Sequence, residues 1–429
     1  MNLLVTNTRN AQAYAIIRAL RPHCENLVVT MYGKNRLVAR LSHAANSRLV
    51  DKRYYVPSPV EDWRAGNIQK ENTKREETYI EAVEQICEQE KIDTIFPSFD
   101  PHVYVFSKNK ERFERLGIVI PIPDYDAVIT PLDKYRTIKP AEEVGFPCPK
   151  TFLPESEDDV KRIANRLGFP LVIKPRFTAG GRGTGIIMDS QDLLEKTRSI
   201  TRRQGFPLVQ EYIPGNAHSS FNIVIDKRMN VKAVEYVSFV RRVAVVTVAE
   251  LLSPHANVTR ARDLLQKLGW WGTVTVQMKI DPRDGIPKLM EINPRPGIGL
   301  WRRTVLGSNE PLMCLKIARG QAVEPTMDNR SGILFIDPVE DLMELGFRVL
   351  DLFIYWFRTG VRGKTAMDPL NPRSSVKELI RSYKETYLSS KKKVFNHYFT
   401  YFFDDPLPSI LWWCQFMGIL VKATSRLGR

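Results

Sequence analysis

The apolar positions of the first hundred residues fall into short runs separated by stretches of helical spacing. Asn2–Thr6 reads as a short apolar strand. From Gln12 to Leu20, Ala13, Ile16, Ile17 and Leu20 recur on one helical face. Leu27–Tyr32 predicts a second strand, and Ser42–Tyr55 leads toward a third. Thr78–Gln89 predicts a helix and Thr94–Ser98 a further strand. Strands alternating with helices predict an open parallel α/β sheet. The first turn, Asn7-Thr8-Arg9-Asn10, has no GxGxxG, so the dinucleotide fingerprint is absent. The strand-end loops of such a sheet can still hold part of a substrate.

The pattern changes at Pro121–Thr130, where prolines give way to a polar stretch, and a domain boundary is expected there, near residue 125. Asp133-Lys134 falls within a predicted helix. Leu171–Lys174 predicts a strand ending in a lysine. Thr178–Gly185 follows it, with four glycines, two hydroxyls and one arginine in eight residues. A plain hairpin needs only one or two glycines. A loop this rich can close its backbone N–H groups over phosphates, although no Gly-Lys-Ser/Thr makes it a Walker loop.

Leu208–Ile213 predicts a strand that carries a carboxylate and breaks at Pro214-Gly215. Such a break frees backbone groups that can read a flat base edge. Phe221–Ile225 and Ala233–Thr247 alternate as antiparallel strands, and Thr259–Leu268 predicts a helix. Gly272–Ile280 is a strand whose Gln277 points with Thr273 and Thr275. A turn at Asp284-Gly285 leads to Leu289–Arg295, LMEINPR. Residues two apart on a strand share a face. A carboxylate, Glu291, and an amide oxygen, Asn293, therefore converge, as oxygen ligands of Mg²⁺ do. Arg295 on the same face can meet phosphates bidentately.

Composition adds limits. The chain has 429 residues, enough for several domains, and 43% hydrophobic with 26% charged residues excludes wholesale disorder. A net charge of +15 implies attraction to something anionic, although solubility alone also explains it. Five scattered cysteines without a CxxC pair argue against a disulfide framework or zinc site and for a reducing, cytoplasmic setting. No signal peptide is expected ahead of Asn2–Thr6. No apolar run reaches the roughly 18–20 residues of a membrane-spanning helix.

Taken in order, Lys134, Val172-Ile-Lys174-Pro175, the Gly180–Gly185 loop, Gln210–Gly215, Gln277 and Met290–Arg295 resemble an ATP-grasp enzyme. The pattern is most similar to the carboxylate–amine ligases and the carbamoyl-phosphate synthase large chain, over about residues 1–320. The resemblance implies an α/β plus α+β architecture. An open parallel-sheet domain (1–125) precedes a two-subdomain ATP-grasp core (126–325, with a mobile lid at about 140–206). A helical, basic and aromatic extension (326–429) follows.

It also implies roles. Lys134 and Lys174 contact the phosphates of ATP, with Lys174 also near the adenine. Gly180, Gly181, Arg182, Gly183, Thr184 and Gly185 fold over the phosphates. Gln210, Glu211, Tyr212 and Ile213 hold the adenine. Gln277, Glu291 and Asn293 bind Mg²⁺, for which Mn²⁺ would substitute. Arg295 and Lys174 are the catalytic cations. His218 stands where the family usually has the ribose-binding glutamate. The implied reaction is phosphorylation of a small carboxylate to an acyl phosphate, followed by attack of an amine. The alternative is a non-catalytic ATP-binding scaffold or regulatory protein.

The resemblance does not explain the region beyond about residue 330. Leu342–Phe357 is apolar on much of its circumference. Arg373–Lys393 is basic, and the aromatics Phe395–Phe403 precede the apolar run Leu407–Val421 with Trp412 and Trp413. Flanking cations suit an anionic membrane surface at the inner face of the membrane. There a cell-surface polysaccharide precursor would be the acceptor. Packing on the core, or a homodimer contact, explains the same residues equally well. Nucleic-acid binding is not expected, because no RNA-binding motif accompanies them.

Overall fold

The N-terminal alternation becomes a four-stranded parallel sheet in the computed structural model, which describes residues 1–32, 36–60, 72–177, 183–242, 246–253, 257–327, 330–346, 349 and 376–427. Its strands are β1 (Asn2–Thr6), β2 (Asn26–Met31), β3 (Lys52–Tyr55) and β4 (Thr94–Pro97), in the spatial order β3-β2-β1-β4. Leu3 lies between Leu27 and Thr94 in register. Leu3, Leu4, Val5, Leu27, Val28, Val29 and Ile95 are fully buried, the run pattern expected of a sheet covered on both faces.

Helix α1 (Ala11–Leu20) starts at Asn10, whose side chain accepts from the Ala13 amide at 3.0 Å. Helix α2 (Arg36–Arg40) follows β2. Helix α3 (Lys74–Glu90) begins four residues before its apolar pattern, because Thr73 and Glu76 form a capping box ahead of it. Helix α4 (Asp100–Lys108) leaves β4 directly.

The chain forms two compact units, Met1–Glu235 with Pro254–Asp328 and Tyr236–Ser253 with Asn329–Arg429. In the first unit, β5 (Thr151–Phe152), β6 (Leu171–Lys174), β7 (Gly185–Ile187) and β8 (Leu208–Glu211) make an antiparallel sheet ordered β5-β8-β6-β7. The helices Glu157–Leu167 and Ser190–Gln204 close its core through Val160, Ala164, Leu193 and Ile200 against Leu171, Ile173 and Val209. A second antiparallel set joins β9 (His218–Ile225), β12 (Gly272–Ile280) and β13 (Pro287–Asn293). The strand β10 (Val231–Arg242) begins in this unit, where Ala233 pairs with Thr326 of β14 (Thr326–Met327).

Behind β9 and β12 sits a buried charge network. Arg302 holds both oxygens of Glu235 at 3.1 Å, and Asn222 donates to Glu235 at 2.7 Å. Arg303 bridges Glu235 and Glu310, and Thr273 donates to Glu310 at 3.0 Å. Burial draws the Glu235 carboxyl upward, but Arg302 and Arg303 outweigh it and hold it below its usual range. At Glu310 burial wins over Arg303, and the carboxyl is pushed up.

One expectation is corrected here. Asp133 and Lys134 are not in a helix: the helix Tyr125–Leu132 ends at Asp133. Asp133 turns inward, is fully buried, and pairs with Arg176, while the Lys134 amide donates to the Arg176 carbonyl at 3.3 Å. The ion pair and this long-range amide bond stand in place of another helical turn.

In the second unit the later part of β10 pairs with β11 (Val246–Leu252), β11 with β15 (Leu334–Ile336), and β15 with β16 (Lys393–Phe395). Helices Val376–Leu388, His397–Thr400 and Pro406–Leu427 complete it, so the extension carries strands as well as the expected helices. Most of the apolar stretch predicted at Leu342–Phe357 lies outside the described residues. Trp412, for which a membrane interface and packing on the core were both open, is buried. It stacks on Tyr398 with ring centroids 5.3 Å apart and donates its indole N–H to Glu340. Among the described residues no helix is long and apolar enough to cross a membrane.

Candidate functional site

The strand pair β12–β13 sets the geometry. Its register places Gln277 opposite Glu291 and Thr275 opposite Asn293, with a register shift just beyond Gln277. Along β13 and its exit, Glu291, Asn293 and Arg295 are half-buried while Ile292 and Pro294 between them are buried. The three thus share the more open face, as their spacing predicts. Arg295 donates to Asn293 Oδ1 at 3.1 Å and to Asp100 Oδ1 at 2.8 Å, and its guanidinium sits 5.9 Å from the Phe99 ring centroid.

Two lysines reach the same strand. Lys134 Nζ lies 3.8 Å from Glu291 Oε2. Lys174, at the end of β6, points its Nζ to the Met290 carbonyl at 3.5 Å. Burial, with Lys134 nearby and only partial relief from Glu291, brings the Lys174 ammonium down to about 8. A buried ammonium without a full counter-charge is poised to accept an anion. Binding a phosphate would keep its proton on. Affinity for a phosphate-bearing ligand is therefore expected to fall by about tenfold between pH 7 and pH 9, as the free protein loses that proton. Nucleotide titrations of the wild type and Lys174→Arg check this, the variant showing a flatter profile.

The remaining expected residues fall as follows. Gly180, Gly181 and Arg182 lie outside the described residues. Gly183 has φ +79°, and a Cβ there would come within 2.9 Å of Pro175 Cγ, so only glycine fits this turn. Thr184 and Gly185 lead into β7. Gln210 is buried and donates to Thr151 Oγ1 at 2.6 Å. Ile213 is buried, and Lys279 Nζ stands 5.3 Å from the Tyr212 ring centroid. His218 opens β9 opposite Lys279.

Glu211 accepts from Arg283 at 2.6 Å and from the Lys150 amide at 3.1 Å. Burial draws its carboxyl upward, and these two donors outweigh it and hold it below its usual range. Arg283 and Asp100 were missed from sequence. Asp100 meets Arg295 across 195 positions, a separation that no local pattern signals.

Two family models match in succession. The N-terminal domain of PylC-like proteins matches residues 71–121, and the ATP-binding domain of the carbamoyl-phosphate synthase L chain matches residues 133–299. Residues 133–299 are an ATP-grasp domain. It contains every site residue above except Asp100 and Phe99. The chain is 27% identical to the carbamoyl phosphate synthase large chain of Halomonas eurihalina over 277 residues, 59% of this chain and 25% of that one. The corresponding large chain of Pseudomonas putida is 27% identical over 274 residues, 58% and 25% respectively. The chain thus spans about a quarter of the length of these relatives.

Solved structures share the fold. The biotin carboxylase domain of Hydrogenobacter thermophilus 2-oxoglutarate carboxylase, in complex with MgADP, ADP and bicarbonate, superposes with a TM-score of 0.63 at 17% identity. That match covers 78% of this chain and 73% of the other. N5-carboxyaminoimidazole synthetase from Staphylococcus aureus, complexed with ADP, gives 0.60 at 13% identity, covering 80% and 84%. Around the ATP-grasp domain the expected architecture, with a parallel sheet ahead of it, is what the structure has.

Proposed function

We propose that this chain is an ATP-dependent ligase that activates a carboxylate as an acyl phosphate and joins it to an amine. The observation that carries the reading is the convergence of Glu291, Asn293 and Arg295 with Lys134 and Lys174 within the ATP-grasp domain. The relatives that match this domain are ligases, and solved neighbours are complexes with ADP or MgADP.

The donor set fits Mg²⁺. Gln277, Glu291 and Asn293 offer oxygens from facing strand positions, and Glu291 is the one carboxylate among them. So spare a set suits a metal held jointly with substrate phosphates. Bound there, Mg²⁺ supplies charge neutralisation for phosphoryl transfer. The protein's own groups do the rest. Lys134 and Lys174 hold phosphate oxygens, and Arg295, aimed by Asp100, stabilises the charge on the transferring group. The attacking carboxylate forms the new P–O bond as ADP leaves. The amine nitrogen then bonds to the acyl carbon, phosphate departs, and the surplus proton leaves with solvent or phosphate. The resemblance gives the Gly180–Gly185 loop the part of a lid that keeps water from the acyl phosphate.

Phosphate release with Mg²⁺ and ATP, scanned against pools of carboxylates and amines, tests the reading. Release that needs one member of each pool is expected. ATP binding with no release from any pair would overturn the reading in favour of the scaffold.

The finer proposal concerns location. On the helix Pro406–Leu427, Leu407, Ile410, Cys414 and Met417 are exposed at three- and four-residue spacing, and Phe399 and Phe403 precede them, Phe403 at 96% exposure. With Lys422 and Arg426 following in sequence, this face suits peripheral contact with an anionic membrane, where a membrane-attached acceptor would lie. Co-sedimentation with phosphatidylglycerol vesicles is expected, weakened about tenfold by Phe403→Ser/Ile410→Asp. Concentration-dependent dimerisation without vesicle binding would move this face to a subunit contact.

A further inference from the structure

A cavity of about 590 Å³ opens where β2 and β3 end, lined by Met31, Asn46, Tyr55 and three arginines, Arg36, Arg40 and Arg53. Among the described residues that line it there is no carboxylate. Arg53 is fixed from behind, donating to the carbonyls of Ala45 and Ser47. Arg36 lies over the Tyr55 ring, 5.8 Å from its centroid. Among the described residues neither Arg36 nor Arg40 has an acidic partner, and both are exposed. Asn46 pins the end of α2 by donating to the carbonyls of Arg40 and Ser42, both at 2.8 Å. Guanidinium groups held around one cavity, with no counter-charge among the described residues, select an anion, and their planar forks match carboxylate or phosphate oxygens.

The position of the cavity relates it to the catalytic end of the sheet. The four strands are parallel, so all their carboxyl ends lie along one edge, the usual place for ligands in open α/β sheets. Asp100, which holds Arg295, follows β4 at one end of that edge, and the arginine cavity follows β2 and β3 at the other. With strands about 4.8 Å apart, the two are separated by two to three strand spacings, about 10–14 Å. Between them, at the ends of β1 and β2, the side-chain oxygens of Asn7 and Thr30 are buried without a hydrogen-bond partner, as is that of Ser42 beside α2. Buried polar atoms left without protein partners call for water or ligand.

We propose that the Arg36–Arg40–Arg53 cavity binds a second anionic group of the substrate, a phosphate or a carboxylate, about 10–14 Å from the carboxylate that is activated beside Arg295. This rests on the ligase reading for the word substrate, and on the cavity alone for the anion. The substrate class is then an acid with a distal anionic end, not a simple monocarboxylate. The net charge of +15 would assist its capture.

Calorimetric titration of the full chain tests this, with the nucleotide site first filled by Mg²⁺ and a non-hydrolysable ATP analogue. Inorganic phosphate and glutarate serve as probes, against the wild type, Arg36→Ala/Arg40→Ala and the exposed-surface control Lys161→Ala. At least one probe is expected to bind the wild type and the control, and to bind the double variant at least tenfold more weakly, while the analogue binds all three alike. Phosphate alone would point to a phosphorylated substrate, glutarate alone to a dicarboxylate. Binding of neither probe, or equal binding by the double variant, would overturn the proposal with the nucleotide result intact. Failure of the analogue to bind any of the three proteins would instead sink the ligase reading, and the probes would still report on the cavity.

Discussion

Replacing Glu291 by glutamine is expected to lower the turnover of ATP-dependent phosphate release by a factor of about 100–1,000, with nucleotide affinity falling far less. Glu291 is the one carboxylate of the proposed metal set, and it stands 3.8 Å from Lys134 Nζ. Glutamine keeps the size and one oxygen of the side chain but removes the charge. The ground-state complex retains its lysine contacts to phosphate, so the loss falls on the step where charge moves toward the γ-phosphate oxygens. Single-turnover phosphate release beside equilibrium nucleotide titration separates the two effects. Equal losses in binding and turnover would place Glu291 in simple nucleotide binding. Unchanged turnover would remove it from the metal set.

Arg303→Met is expected to be the most damaging single change to stability, costing about 3–5 kcal/mol. Arg303 is 2% exposed and is shared by Glu235 and Glu310, whose side chains are as deeply buried. Removing it leaves Glu310 in an apolar setting with only the Thr273 hydroxyl, while Glu235 keeps Arg302 and Asn222. The burial that already pushes the Glu310 carboxyl up would then act without Arg303 to oppose it, favouring the neutral acid and limiting the damage without abolishing it. Urea unfolding of Arg303→Met, Glu310→Met and the double variant checks the account. The double variant should recover part of the loss, because no orphaned charge remains. Additive losses would show that the pair is not coupled.

The strands and most helices were legible because their signals are local. The Gly272–Ile280 strand and the Glu291 face follow from alternation, and the glycine-rich loop from composition. The register that sets Gln277 opposite Glu291 depends on a shift just after Gln277, which alternation alone does not announce. The helix expected at Asp133 failed because Arg176, 43 positions away, offers the buried Asp133 carboxylate an ion pair that outcompetes one more turn. Asp100 and Arg283 escaped notice for the same reason: each acts on a residue far along the chain. In the extension, aromatic and cationic composition alone left a membrane surface and packing equally open. The fold distinguishes residues within that composition, burying Trp412 against Tyr398 and leaving Phe403 outside.

The strand β10 runs unbroken from the first compact unit into the second. The two halves of the molecule are therefore threaded on a shared backbone and cannot be separated by cutting where the ATP-grasp match ends at residue 299. A protein shortened after Asp328 would keep β11 but lose β15, whose Leu334–Ile336 pairs with Val248–Glu250. Its β11 would then present a bare row of amide and carbonyl groups to solvent, an open template for strand addition by another chain. Truncation for crystallisation or expression should accordingly produce aggregates rather than a minimal folded domain, because β15 is the edge cover of β11.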